Sequence, residues 1–452
     1  MSKPIKIKRG LNIPLKGSAE KVLVRIDKAE TYGVKPTDFP GLVPKLNVMV
    51  GDKVKAGSPL FHDKYRPEVV FSSPVSGQVV DIRRGERRVI LEVVVKADSG
   101  ELAYEDFEPA SPETLTRDQV VEKLLKAGVW PYIKQRPFGI IANPTDSPKS
   151  IFISCFDTSP LAPDLDFAVQ GEEQAFQAGI DALRMLTPGK VHFGLNADFP
   201  PAKAFANAKG VESHYFTGPH PAGNVGVQIH HIDPINKGEV VWVLNPLDVI
   251  IIGRLFLKGI YDATKVIALA GSEVLNPRYF KLISGACIES IIKNNINTQS
   301  QVRFISGNVL TGTLVDKLGY LGFYDNMVTV IPEGNKYEFF GWIAPGINKH
   351  SASRAFLSKL IPGKRFILNT NMHGGHRAMV VTGQYEKVLP MDIYPMHLIK
   401  SILANDIDKM EQLGIYEVVE EDMALCEYVC PSKTEVQDIL RKGIETMIKE
   451  LS

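Results

Sequence analysis

Between Leu115 and Gly259 short apolar runs alternate with longer stretches whose apolar residues recur at helical spacing, and this alternation restricts the fold more than any other feature of the chain. SIFISCF (150–156) and GKVHFGL (189–195) have the pattern of buried strands, and EEQAFQAGIDALRML (172–186) between them has the pattern of an amphipathic helix. Strands separated by helices imply a parallel sheet with right-handed crossovers, so this segment is expected to be an α/β layer. A glycine-rich first turn, which lets such sheets cradle a nucleotide phosphate, is absent.

The flanking segments have different periods. From about Pro40 to Ser99 short alternating runs are separated by Gly-Asp and Ser-Gly turns, in PKLNVMVGDKVKAGSPLFHDK, VVFSSPVSGQVVDI and RRVILEVVVKAD. VGDKVKAGSPL followed by SPVSGQVV resembles the barrel-sandwich fold of lipoyl and biotinyl domains. A carrier lysine would fall at Lys64, but Tyr65, Arg66 and Pro67 make that hairpin tip longer than a carrier turn, so an unmodified structural hairpin is expected. ATKVIALAGSEVLNPRYFKLISGACIESII and QVRFISGNVLTG place strands around one short helix, the pattern of a β-grasp domain. Beyond Gly341, PMHLIKSILANDIDKMEQLG and TEVQDILRKGIETMIKEL have apolar residues at i, i+3, i+4 and i+7. The expected organisation is α/β multidomain: a barrel-sandwich (lipoyl-like) region over 1–114, a Rossmann-like layer over 115–262, a β-grasp (ubiquitin-like) domain over 263–345, and a helical domain over 346–452.

The helical region ends its second turn with Cys426, three residues, Cys430 and Pro431, the close of a bacterial ferredoxin motif. That motif needs cysteines at 420 and 423, where the chain has Glu420 and Met423. TGQYEKVLPM (382–391) overlays ALCEYVCPS (424–432) at an offset of 41, and its four cysteine positions hold Met379, Thr382, Tyr385 and Leu389. Two thiolates cannot hold a cluster that takes four, and no histidine stands at zinc-ligand spacing beside Cys426. Both turns are expected to be vestigial cluster sites without metal.

Composition removes other classes. Fifty-two basic and 51 acidic residues leave a formal charge of +1, so no global field draws the chain to nucleic acid or anionic lipid. Four scattered cysteines do not make a disulfide framework. The start lacks an apolar signal core, and the longest apolar stretch, VVWVLNPLDVIIIG from Val240, is broken by Asn245, Pro246 and Asp248. The chain is expected to be soluble and cytoplasmic, reaching a membrane only through partners. His220, His230, His231 and Asp233 suggest a metal site, but His230 and His231, read as neighbours on a strand, would point to opposite faces. GPHPAG is read as a rigid turn, and NMHGGHRAM, with His373 and His376, as a loop.

Near-continuous strings carry a resemblance: IKIKRGLNIPLKG, VGDKVKAGSPLFHDK, SPVSGQVVDI, RGERRVILEVVV, FTGPHPAGNVGVQIHHIDP, DVIIIGRLFLKG, EFFGWIAPGINKHSASRAF, YEKVLPMDIYP and LCEYVCPSK. The chain resembles the A-subunit family of bacterial Na+-translocating NADH:quinone reductases, which in turn is similar to the C-subunit of the Rnf complex and to the NADH-binding subunit of respiratory complex I. The resemblance implies a peripheral subunit on the cytoplasmic side of the inner membrane, assembled with membrane subunits of the complex. It also implies that FMN, FAD, riboflavin, the 2Fe–2S centre and the Na+ path belong to partner subunits. The electron acceptor would be ubiquinone or menaquinone.

Departures from the flavin-binding relatives sharpen the expectation. Where they have G-x-G-G-A-G-F-P, this chain reads KAGVWPYIKQRPFG (126–139), and Trp130, Pro131 and Tyr132 cannot present backbone N–H groups to a phosphate. No catalytic residue, cofactor site or metal site is expected in this subunit. SGAC (284–287) is similar to the S-G-A-T site at which some membrane subunits esterify flavin phosphate, but Cys287 replaces the acceptor threonine and is expected to be a buried packing residue. Two aromatic and cationic segments are candidates for contact with a quinone: Tyr32 and Lys35 of ETYGVKPTDF, and Trp130, Tyr132, Arg136 and Phe138, beside Lys134. An apolar slot with one or two donors would suit a quinone head. Packing at an interface is the other reading of both segments. Two further alternatives are an Rnf-type electron-entry subunit and a covalent carrier modified on Lys64.

Overall fold

The computed structural model describes residues 3–26, 28–297, 301–335, 338–341 and 343–451; Trp342 of the EFFGW stretch lies outside them. At its centre is a seven-stranded sheet, in the order Ile5–Lys6, Glu212–Thr217, Lys190–Asn196, Ser150–Ser154, Val241–Leu244, Lys134–Arg136, Ile140–Ile141. The first five strands are parallel, as the alternation predicts, and an antiparallel hairpin closes one edge. Val241–Leu244 is buried along its whole length, and so is Ser150–Ser154 apart from its last residue, which is why they read as unbroken apolar runs.

The apolar stretch from Val240 is two elements because of the residues that interrupt it. Asn245 caps the next helix by accepting from Leu247 N at 3.0 Å, Pro246 occupies its first turn, and Gly259 ends it in the left-handed conformation. This helix, Pro246–Lys258, crosses Glu173–Arg184 almost backbone to backbone. A Cβ on Gly253 would lie 1.7 Å from Ala175 O, and one on Gly179 would lie 2.2 Å from Val249 O. Phe176, Ile180 and Leu183 of one helix and Val249, Ile252 and Leu255 of the other are buried in the same apolar core.

Two small antiparallel sheets form the barrel-sandwich region. One contains Thr31–Val34, Ile90–Ala97, Gly77–Arg84 and Lys53–Val54, and the other Pro44–Leu46, Pro59–Asp63 and Val70–Ser72. At the Lys64 hairpin, Arg66 is paired with Asp63 at 2.9 Å and donates to Ile141 O at 3.3 Å, so the tip is fastened to the neighbouring layer. A six-stranded sheet follows in the order Thr313–Val315, Val302–Ser306, Met327–Pro332, Thr264–Ala270, Arg278–Ile283, Glu20–Arg25, with the short helix Ile288–Ile292. The chain's beginning is therefore threaded through the molecule: Ile5–Lys6 extends the seven-stranded sheet, and Glu20–Arg25 the six-stranded one. Local periodicity does not reveal such pairings, because both strands have partners more than 200 residues away.

Four helices complete the chain: Pro395–Leu403, Ile407–Gln412, Glu420–Val429 and Val436–Leu451. The last buries Val436, Leu440, Ile444 and Met447, the stripe its spacing predicts. No helix among the described residues is long and apolar enough to cross a membrane.

Three local expectations need correction. Residues 424–432, read as a turn, are mostly helix: Glu420, Glu421 and Asp422 sit in the first turn, where the macrodipole favours acids, and Asp422 Oδ2 accepts from Val419 N at 3.0 Å. His230 and His231 lie on the helix Val225–Ile232 rather than on a strand, since a short apolar run does not distinguish the two. Cys287 is half-buried, not buried, because it caps the start of a one-turn helix near the surface.

Candidate functional site

Helix Arg117–Lys126 delivers the chain into Gly128, a 3-10 turn at Trp130–Tyr132 and the strand Lys134–Arg136. A phosphate cradle leads into a helix N-terminus, where unpaired N–H groups point outward. Here the segment leaves a helix C-terminus, and Tyr132 N and Ile133 N donate to Val129 O and Trp130 O. The turn is also interior, which corrects the expectation of an aromatic surface. Trp130 Nε1 donates to Ala142 O at 2.8 Å, and its ring meets Trp242 edge-on at 5.4 Å. The Tyr132 hydroxyl pairs with that of Tyr261 at 2.9 Å, and its ring stacks on Phe323 at 4.3 Å.

Phe323 and Tyr324 form a hub absent from the residues expected at the site. Phe39 of the barrel-sandwich region meets Phe323 at 4.9 Å, while Tyr324 donates to Pro131 O at 2.6 Å, so three domains converge on one aromatic pair. Lys134 lies over the Tyr324 ring at 4.6 Å and Lys265 over Tyr132 at 5.1 Å. The Lys265 ammonium is fully buried and stands 2.7 Å from Asp248, whose carboxyl burial pushes above the usual range against the pull of the lysine. GFYDN carries no motif of its own; only its aromatic pair after a glycine turn could have marked it.

The second candidate segment closes onto the same hub. Tyr32 is buried and its hydroxyl accepts from Ala29 N at 3.0 Å; burial pushes its pKa up to about 12. Lys35 contacts Asp38 at 3.4 Å and donates to Tyr320 O at 3.2 Å. Asp38 in turn accepts from Phe323 N at 2.8 Å, and burial raises its pKa to about 6 despite Lys35.

Arg136 and Phe138 face the C-terminal helices instead. The Arg136 guanidinium, 2% exposed, donates to Asp422 Oδ2 at 2.6 Å and to Glu421 Oε1 at 2.5 Å. Burial would lower its pKa, but the two carboxylates hold it above its ordinary value; burial raises that of Asp422. Arg441, paired with Glu420, donates to Phe138 O at 3.0 Å, and the Phe138 ring meets Tyr416 at 6.0 Å. The six expected residues thus divide between two groups, with Arg136 and Phe138 turned toward the C-terminal helices and the others toward the hub side. A groove of about 700 Å³ opens elsewhere, along helix Arg117–Lys126, and is lined by Glu68, Arg117, Asp118 and Glu122 among others.

At the expected cluster sites, Tyr385, Leu389, Met423, Cys426 and Cys430 pack in one apolar core, with Met379 against it. The Tyr385 hydroxyl donates to Cys430 Sγ at 3.0 Å, so the residue at one expected ligand position is bonded to a thiol of the other expected site. Of the histidines, His230 is held between Glu417 (2.6 Å) and Asp392 N (3.0 Å), and buried His220 contacts Thr158 at 3.1 Å. Ligand atoms close enough to share a metal occur, among the described residues, at His192, Glu212 and His214, within 4.8 Å of one another.

Family models match three successive parts of the chain: the NqrA N-terminal barrel-sandwich hybrid domain over residues 5–98, the NqrA second alpha/beta domain over 115–261, and the NQRA C-terminal domain over 266–317. The chain is 39% identical over 450 residues to the Na(+)-translocating NADH-quinone reductase A-subunit of Neisseria meningitidis serogroup A, covering 99% of this chain and all of that one. It is 40% identical over 450 residues to the subunit of that name from Pasteurella multocida, with the same coverage, and 38% identical over 448 residues to that of Vibrio alginolyticus.

The chain belongs to the A-subunit family of Na(+)-translocating NADH-quinone reductases.

Within the NqrA family, the barrel-sandwich region and the α/β layer are the domains that the first two models describe. The two junctions lie between such units: the hub joins the N-terminal, α/β and six-stranded parts, and Arg136 joins the α/β layer to the helices beyond the last model. Among solved structures, a chain of an NAD+-reducing [NiFe]-hydrogenase overlaps 77% of this one at a TM-score of 0.37 and 13% identity, a likeness without functional weight.

Proposed function

We propose that this chain is the peripheral NqrA component of a Na+-translocating NADH:quinone reductase, docked on membrane subunits at the cytoplasmic face and contributing to quinone reduction without a redox centre of its own. The observation that carries this reading is the end-to-end match to NqrA relatives, combined with an interior that fills the places a flavin loop and clusters would need. On this reading the seven-stranded layer is Rossmann-like in descent and the six-stranded sheet is β-grasp-like, as a parallel core with crossovers and a sheet around one short helix support.

The quinone contribution of Tyr32, Lys35, Trp130, Tyr132, Arg136 and Phe138 takes a specific form. Arg136 is already doubly paired, and Trp130 and Tyr132 are enclosed, so a quinone would lie against the partly exposed rim at Phe138 and Lys134 while the other residues hold that rim in place. The test is steady-state quinone kinetics beside stopped-flow flavin reduction in membranes holding the whole complex. Phe138→Ala is expected to raise the quinone KM about tenfold, equivalent to about 1.4 kcal/mol, with flavin reduction by NADH unchanged. Unchanged KM and inhibitor sensitivity would reject the contact. A purified chain carrying stoichiometric flavin or iron–sulfur absorbance would overturn the reading itself.

A further inference from the structure

We propose that His192, Glu212 and His214 bind one divalent transition-metal ion of the zinc type, which clasps two neighbouring strands of the α/β sheet. None of these residues belongs to the junctions described above.

The sheet register builds the site. Lys190–Asn196 and Glu212–Thr217 run parallel, with His192 opposite Glu212, and His214 two residues further along. Residues two apart on a strand share a face, so all three side chains emerge on one side of the sheet. His192 Nδ1 stands 3.0 Å from His214 Nε2, and His214 Nε2 stands 3.9 Å from Glu212 Oε1. Two nitrogens bound to tetrahedral zinc at about 2.05 Å are about 3.3 Å apart. The imidazoles therefore need to separate by only a few tenths of an ångström to admit the ion.

The chemistry of the donors agrees with this. Burial, then the neighbouring imidazole, lowers His192 to about 4, and burial lowers His214, so both rings are neutral near pH 7; the ring that donates across the 3.0 Å contact carries its proton on its other nitrogen when the ion takes its place. A hydrogen bond from Lys190 holds Glu212 below its usual range, leaving it an anion. The His192 ring is held by stacking on Phe152 at 4.6 Å. Two imidazoles and a carboxylate select a zinc-like ion over magnesium or calcium, which prefer oxygen alone. His214 and Glu212 are partly exposed, so the fourth position faces water.

Location argues for a structural or inhibitory ion. His192 and Glu212 stand near the N-terminal ends of their strands, whereas parallel sheets bind substrates beyond the C-terminal ends. Lys190, 2.6 Å from Glu212 Oε2, competes for the same carboxylate and sets the affinity below that of a closed structural site.

Calorimetric titration of the full-length chain with Zn2+, after chelator treatment, tests the site, with Co2+ as a spectroscopic substitute. One equivalent should bind, Co2+ should show the intense visible bands of four-coordinate geometry, and the thermal midpoint should rise with metal. His214→Ala should weaken binding by at least about 100-fold, at or above what losing a supporting contact costs, and Glu212→Gln by about 10-fold. Lys190→Met should tighten binding several-fold, which a mere histidine–histidine hydrogen bond would not produce. Absence of binding at millimolar metal, or binding untouched by His214→Ala, overturns the proposal. So does binding abolished by Cys426→Ser with Cys430→Ser.

Discussion

The segment Lys126–Gly139 and the paired segments around Tyr385 and Cys426 stand where the sequence leads one to look for a flavin loop and for iron–sulfur clusters, and the interior closes the two places in different ways. The first is closed by aromatic rings with bonded polar ends and by a guanidinium between two carboxylates. The second is closed by Leu389, Met423, Val388 and two thiols. Polar closure depends on the position of each donor, and removing one strands its partner in a medium that solvates it poorly. Apolar closure depends mainly on volume, so substitutions of similar size are tolerated. The two places should therefore respond very differently to mutation.

Breaking the polar junction should have the largest effect. Asp422→Ala leaves the Arg136 guanidinium buried with only the partly exposed Glu421, and should destabilise the chain by about 3–5 kcal/mol. The measurement is chemical denaturation of the full-length chain. Arg136→Met combined with Asp422→Leu should recover most of the loss, because an apolar pair of similar volume carries no stranded charge. A single-mutant cost below about 1 kcal/mol would show that water reaches the pair.

A smaller effect, visible as pH dependence, is expected at Asp38. Its folded-state pKa of about 6 lies above the unfolded value near 3.8, so the folded chain holds the proton more tightly than the unfolded chain does. The stabilising contribution is full below about pH 4 and is lost as pH rises through 6. Asp38→Asn keeps an acceptor for Phe323 N and removes the titration. Measured against wild type, its relative stability should increase by about 2–3 kcal/mol between pH 4 and pH 7. A difference that stays flat over that window would mean that Lys35 keeps the carboxylate ionised throughout.

How much of this the sequence discloses depends on whether the deciding contact is local. The strands at 150–154 and 190–196, the helix at 173–184 and the Asn245-Pro246 break are legible because period and capping are properties of neighbours along the chain. That cysteine is missing from most positions of the two cluster-like patterns is legible in the residues themselves. The strand pairings of residues 5–6 and 20–25, the meeting of Phe39, Tyr132 and Phe323, and the Arg136–Asp422 pair are not, since each joins residues far apart in sequence. Trp130, Tyr132 and Arg136 look like a surface in the sequence because aromatic and cationic residues are common at binding sites. In the structure each finds a partner on a distant element, and the same residue types become an interior seal. His192, Glu212 and His214 form no motif along the chain because only the register between two strands unites them.

The smallest effects belong to the two cysteines, and they should differ from each other. Cys426 is fully buried, and its thiol makes only a 3.9 Å contact with Tyr385 O, a carbonyl that already accepts from Val388 N and Leu389 N. Cys426→Ala should therefore cost about 1 kcal/mol, the value of a small cavity. Cys430 Sγ accepts the Tyr385 hydroxyl at 3.0 Å and Thr434 N at 3.4 Å, and although burial opposes it, these donors pull its pKa below that of an ordinary thiol. Cys430→Ala removes the acceptor of the buried Tyr385 hydroxyl, which keeps only its hydrogen bond with the Thr434 side chain, and should cost about 1 kcal/mol more than the first change, while Cys430→Ser, which offers an acceptor, should recover much of the difference. On the proposed reading, in which the thiols hold no metal, none of these variants should alter quinone reductase turnover once the complex has assembled. If turnover falls in an assembled complex carrying both serine substitutions while stability stays near wild type, the thiols have kept a chemical role and the comparison between the two closed places fails.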